Sequence, residues 1–79
     1  MTSFSEFHAH IYFGSGTKDT AKDLMNNITD NFSLEVGTFH EKPVGPHPCW
    51  SFQVKFNTTM FGVFVPWLME NRNRLTVFI

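Results

Sequence analysis

Two histidine motifs in this chain have the residue types and spacing to do chemistry. His8-Ala9-His10 lies in a run that alternates like a strand, and Gly45-Pro46-His47-Pro48 lies in a proline-rich stretch. Residues two apart on a strand point to one face, with Cα atoms about 6.5–7 Å apart. His8 and His10 can therefore converge on one ion. His47, stiffened by flanking prolines, can close on them from its own loop. Neutral imidazole suits Fe, Zn, Cu and Ni, and two histidines with one carboxylate and open positions suit non-haem Fe(II) and oxygen chemistry. The nearby carboxylates are Glu6, Glu35 and Glu41, and the sequence singles out none. Taken alone, the H-x-H pattern equally describes polar residues on a solvated or interface strand face.

Other residues invite a functional and a structural reading side by side. Tyr12 and Trp50 could line an aromatic-substrate pocket or simply pack. Arg72 or Arg74 could pair with a substrate carboxylate through two parallel hydrogen bonds, or stabilise a helix C-terminus. His40 reads as structural or as a support for the site rather than a ligand. Cys49 has no base or cation beside it in sequence and reads as a packing residue. The chain has no Gly-rich phosphate loop, Ser-His-Asp pattern or CxxC.

The elements that must position these groups follow from periodicity. From Glu6 to Phe13, Phe7, Ala9, Ile11 and Phe13 take one face and His8, His10 and Tyr12 the other, the period of a half-buried strand. Gly14-Ser15-Gly16 is a turn, with Thr17 or Thr20 as N-cap of a helix that buries Ala21, Leu24, Met25, Ile28 and Phe32. Leu34 to His40 is expected as a second strand. Gly37 suggests a bulge, which leaves the facing of His40 open. Glu41 to Cys49, with Pro43, Pro46 and Pro48, is an extended loop. Trp50, Phe52, Val54 and Phe56 alternate with Ser51, Gln53 and Lys55 in a third strand. Asn57-Thr58-Thr59 caps a second helix carrying Phe61, Phe64, Val65 and Leu68, where Pro66 either kinks the helix or starts its main segment. Leu75, Val77 and Ile79 form one face of a last strand.

The order is βαββαβ. With right-handed crossovers it gives an α+β, ferredoxin-like arrangement: a four-stranded antiparallel sheet with two helices on one face. The first and third strands are then central. The open face presents His8, His10 and Tyr12 beside Ser51, Gln53 and Lys55.

Length and composition bound the rest. The 79 residues make a single domain, 1–79. A chain this short buries only about 60% of its unfolded surface. Ten Phe, two Trp and one Tyr offset that, or feed a subunit contact, so a homodimer is expected. The net charge of −1, without clustered Lys or Arg, argues against nucleic acid as a partner. No apolar run approaches the roughly 20 residues needed to span a bilayer. A single cysteine and no signal-like leading stretch point to a reducing, cytoplasmic setting.

Several segments together resemble one family. Phe7-His8-Ala9-His10-Ile11-Tyr12-Phe13 looks like the opening strand of the DOPA 4,5-dioxygenase family of small ferredoxin-like proteins. His40 through Pro48, followed by Trp50, resembles its histidine loop. Val65-Pro66-Trp67-Leu68, Asn71-Arg72 and Leu75-Thr76-Val77 resemble its second helix and last strand. The resemblance covers nearly the whole chain in order. It implies metal-dependent extradiol cleavage of DOPA or a similar small catechol by O2, with Fe(II) as cofactor, or another divalent metal such as Zn in its place. It makes His10 and His47 the first metal ligands, and His8 the third ligand or the acid/base. Tyr12, Trp50 and Arg72 become substrate contacts. Family members are expected to continue past the last strand with a further His-Pro, where this chain ends at Ile79. The competing expectation is a non-catalytic or ligand-binding dimer that uses the open sheet face.

Overall fold

The structure, a computed structural model, describes residues 6–42 and 49–79. Its elements run β1 (Glu6–Phe13), α1 (Lys18–Asn31), β2 (Glu35–Val36), β3 (Trp50–Asn57), α2 (Thr58–Asn71) and β4 (Thr76–Phe78), with a 3₁₀ turn at Ser15–Thr17 leading into α1. The strands order as β2-β3-β1-β4, every neighbouring pair antiparallel. This is the expected α+β, ferredoxin-like arrangement.

The central ladder pairs β1 with β3 along its whole length, from Glu6↔Asn57 to Phe13↔Trp50. Residues directly opposite share a face, so Ala9, Ile11 and Phe13 stand with Val54, Phe52 and Trp50. Ala21, Leu24 and Ile28 of α1 and Phe64 and Leu68 of α2 join that face in one buried core. Both helices therefore cover the same side of the sheet. Aromatic rings fill the core at two ends. Phe64 meets Phe56 at 5.0 Å and Phe32 at 5.3 Å between centroids. Phe13 stacks on Phe39 at 4.4 Å and meets Trp50 edge-on at 6.0 Å. Phe61 departs from the expected core pattern: it is 38% exposed and covers the edges of Phe7 and Phe56.

Local chemistry sets the helix ends. Thr17 is the N-cap of α1, but its hydroxyl accepts from Gly14 N–H at 2.9 Å rather than from the helix. Asn57 caps α2, its Oδ1 accepting from Met60 N–H at 3.0 Å. Each helix ends in an asparagine whose Nδ2 donates to a carbonyl of the last turn, Asn31 to Asn27 and Asn71 to Trp67. Each side chain thus adds a second donor to a carbonyl of its own helix, while Phe32 N–H satisfies the Ile28 carbonyl at 2.9 Å, one of those left without an intrahelical partner. Pro66 lies inside α2, where it removes the hydrogen bond to the Gly62 carbonyl. Both residues are exposed, so water can take that bond.

The second strand is shorter than the alternation from Leu34 to His40 suggests. Its ladder holds only Glu35↔Lys55 and Val36↔Val54, then resumes as a single bridge, His40↔Ser51. Three residues, 37–39, face two, 52–53, so a bulge carries one extra residue. Gly37 N–H still donates to the Gln53 carbonyl at 2.7 Å. The bulge turns Phe39 into the core, against Phe13 and Phe52, with Lys22 Nζ 4.4 Å above its ring. His40 then pairs with Ser51 on the open face.

Between α2 and β4, Leu75 N–H bonds the Arg72 carbonyl at 3.0 Å, and the two central residues have positive φ, Asn73 at 51° and Arg74 at 70°. Two positive values describe a type I′ turn, whose second central position favours glycine. Arginine there carries a steric cost of about 1 kcal/mol. Arg74→Gly is expected to raise stability by about that much, read as an upward shift in the thermal midpoint by circular dichroism. Phe64→Ala, which empties the centre of one aromatic cluster, is expected to cost about 3–5 kcal/mol. Loss of the cooperative transition in the same measurement would be consistent with a domain of this size.

Candidate functional site

The β1–β3 register that buries the apolar residues exposes the chemistry-bearing ones. His8 faces Lys55, His10 faces Gln53 and Tyr12 faces Ser51. On the outer side of β1, Phe78 of β4 pairs with His10 and Thr76 with Tyr12. On the outer side of β3, Glu35 pairs with Lys55 and His40 with Ser51. The open face therefore holds His8, His10, Tyr12 and His40, around the small buried Ser51. The facing of His40, which the sequence left open, is settled by its bridge to Ser51. A bulge at Gly37 was the available signal, but alternation alone cannot count the residues in a bulge.

Among the three candidate carboxylates the structure distinguishes Glu6. Its Oε2 lies 2.9 Å from His8 Nε2. An ionised carboxylate has no proton to give, so Nε2–H donates and the second ring nitrogen, Nδ1, is left as the acceptor when His8 is neutral. The hydrogen bond from His8, with the Lys55 charge 3.8 Å away, holds the Glu6 carboxyl below the usual glutamate value. Among the described residues Glu35 meets Lys55 Nζ, at 3.8 Å. Glu41 is tied to Lys18 at the start of α1, 2.8 Å apart, an ion pair that raises the Lys18 pKa.

The His8 and His10 ring centres are 6.3 Å apart with planes at 77°. Two imidazoles sharing a tetrahedral ion, with metal–nitrogen bonds of 2.0–2.1 Å, bring their ring centres to roughly 5 Å. The pair is of the right type to hold a metal but stands wider than a closed site. Among the described residues no group of three His, Cys, Asp or Glu is arranged to hold a metal ion. His47 lies outside the described residues.

The remaining candidates separate. Trp50 is on the helix-covered face, edge-on to Phe13, away from the histidines. Arg72 donates through Nη1 to the Leu75 carbonyl at 3.0 Å, fastening the turn after α2. Cys49 is an exposed free thiol rather than a packing residue. Among the described residues two cavities flank the site. A larger one, about 600 Å³, lies at the far end of the sheet beside Glu6, Leu34, Lys55 and Met60 and contains no histidine. A smaller one, about 330 Å³, reaches Tyr12, Thr17, Cys49, Arg74 and Thr76.

These features define a small ferredoxin-like protein with one sheet face packed under helices and the other carrying ionisable groups. The chain belongs to the Dopa 4,5-dioxygenase family, whose pattern it matches over residues 7–79. It is 38% identical over 78 residues to a protein of Botryotinia fuckeliana known as "Uncharacterized 21.2 kDa protein", a match covering 92% of this chain and 43% of that one. It superposes with a TM-score of 0.90 and 38% identity on the crystal structure of a "putative dioxygenase" of Nostoc punctiforme, over 94% of this chain and 64% of that one. The chain thus spans less than half of the first relative and just under two thirds of the second.

The Glu6–His8 pair gives a direct check. A carboxyl with a lowered folded pKa contributes stability above its unfolded value and loses it as pH falls through the folded one. Glu6 is expected to titrate below an ordinary glutamate in an NMR pH titration of the side-chain carboxyls. His8→Ala is expected to move it back up.

Proposed function

We propose that this chain is the ferredoxin-like part of a metal-dependent extradiol dioxygenase acting on DOPA or a similar small catechol. The observation that carries the reading is the open face of β1, where His8, His10 and Tyr12 stand in one row within the stretch shared with the family. The donor types fit a divalent iron: imidazoles on one rigid strand, with a carboxylate beside them. His10 and His47 are the ligands proposed first. When bound, Fe(II) would supply the centre at which catechol and O2 meet, both atoms of O2 entering the ring-opened product.

The chain's own groups do the rest. Glu6 holds Nε2–H of His8, which fixes the imidazole and leaves Nδ1 to accept a proton from a catechol hydroxyl. The same bare Nδ1 serves either role proposed for His8, acid/base or third ligand. Tyr12 offers a ring edge for the substrate, and Ser51, being small, leaves room between Tyr12 and His40. His40, brought to this face by the bulge, is proposed to hydrogen-bond the bound substrate or a ligand. A reducing, cytoplasmic setting is part of the proposal and suits the free Cys49.

A second reading is favoured by Phe78, which is 59% exposed and lies 6.1 Å from the His10 ring. An exposed aromatic beside the histidines suits a contact between two copies across the open face. That homodimer would be non-catalytic if it buried the histidines.

Anaerobic Fe(II) titration, followed by DOPA or 4-methylcatechol in air, separates the readings. The first predicts about one iron per chain and a yellow ring-opened product. It also predicts that a His10→Ala, His47→Ala double variant weakens iron binding about 100-fold or more. A folded chain that takes up no iron would sink it. The second predicts a dimer in sedimentation velocity at micromolar concentration, dissociated by Phe78→Lys; a monomer there would sink that one.

A further inference from the structure

The turn at Asn73-Arg74 has a use that its backbone cost alone does not explain. Arg74 sits at φ 70°, where glycine is the favoured residue, and two residues earlier Arg72 already fastens the turn. Among the described residues Arg74 makes no hydrogen bond or ion pair. It lines the cavity of about 330 Å³ together with Tyr12, Thr17, Cys49 and Thr76, and it is the one charged side chain among the described residues that do so. A cavity of this size is at the small end of those that hold organic ligands. With a single cation and no carboxylate among the described residues of its walls, it is complementary to one anion on an otherwise uncharged molecule.

The cavity and the reaction face meet at Tyr12. Thr76, another cavity residue, pairs directly with Tyr12, and Phe78, further along β4, pairs with His10. From His10 to Tyr12 is one same-face step along the strand, about 6.5–7 Å. A two- or three-carbon side chain on an aromatic ring spans a comparable distance. A ring lying at His10 can therefore extend its side chain past Tyr12 towards Arg74. The planar guanidinium matches a carboxylate with two parallel hydrogen bonds, a geometry lysine cannot copy.

We propose that this cavity is a carboxylate subsite, in which Arg74 takes the side-chain carboxylate of an aromatic acid and so selects acidic catechols over neutral or cationic ones. The assignment of the catechol ring to the histidine face rests on the dioxygenase reading above; the recognition of an aromatic carboxylate does not.

The first test therefore uses the metal-free chain and a ligand that cannot react. In isothermal titration, 3-phenylpropionate is expected to bind at least tenfold more tightly than phenethylamine. Arg74→Gln is expected to abolish that preference, and Arg74→Lys to retain part of it. Arg74→Gly is also expected to lose it while melting no lower than the parent, which excludes unfolding as the cause. No binding of 3-phenylpropionate up to millimolar concentration, equal affinity for acid and amine, or an unchanged preference in Arg74→Gln would overturn the proposal. With Fe(II) and O2, Arg74→Gln is expected to raise KM for 3-(3,4-dihydroxyphenyl)propionate at least tenfold and leave that for 4-methylcatechol unchanged. Acid-selective binding without turnover of any catechol would sustain the subsite and count against the dioxygenase reading.

Discussion

The pairing of β1 with β3 is the constraint on which the rest of the molecule depends. Eight residues on each strand meet without a slip, and because side chains alternate, that one register decides both faces together. A shift of one residue would turn one strand over relative to the other, sending Ala9 and Ile11, or Phe52 and Val54, to solvent and driving His8 and His10, or Lys55, into the core. The hydrophobic drive that packs the helices therefore also aims the imidazoles. No separate interaction is needed to bring His8, His10 and Tyr12 onto one surface; the burial of their neighbours does it.

This coupling explains what could be read in advance. β1 and β3 have unbroken alternation, so their limits, facing and partners follow from residue order, as does the amphipathic α1. The departures come where the signal is not periodic. Gly37 hints at a bulge, but whether one or two residues are added depends on which aromatic finds room in the core, and it is Phe39, held by Phe13, Phe52 and Lys22. The facing of His40 follows from that packing and not from its own sequence neighbours. The tight turn at Asn73-Arg74 is similarly hidden, since a type I′ turn is recognised by Asn-Gly and here an arginine stands in the glycine position. Of the site, the strand-borne groups were legible. The choice of Glu6 over Glu35 and Glu41 was not, because it rests on side-chain distances.

The two faces also divide the demands on the chain. A domain of this size must fill its interior with few residues, and it does so with rings that meet stacked or edge to face, each pair adding about 0.5–1.5 kcal/mol beyond its area. That leaves the open face mainly to polar and ionisable groups, with Ser51 buried among them. Its polar groups are joined mainly by contacts at the surface, such as Glu6 with His8 and Lys55 with Glu6 and Glu35. Such contacts rearrange at little energetic cost. The His8 ring is thus adjustable on that side, whereas the backbone that carries it is not.

The lone bridge between His40 and Ser51 has a consequence for how this protein can vary. Two backbone hydrogen bonds, 2.9 and 3.1 Å, join the chain where it leaves the sheet to where it returns. They close the segment 41–50 into a short ring, so the entropy of its closure is already met at the stem. Each doubling of such a loop adds only about 0.6 kcal/mol. The His40–Ser51 stem is thus a second fixed point on the open face, and it sets where the chain leaves and re-enters the sheet beside the strand that aims His8 and His10.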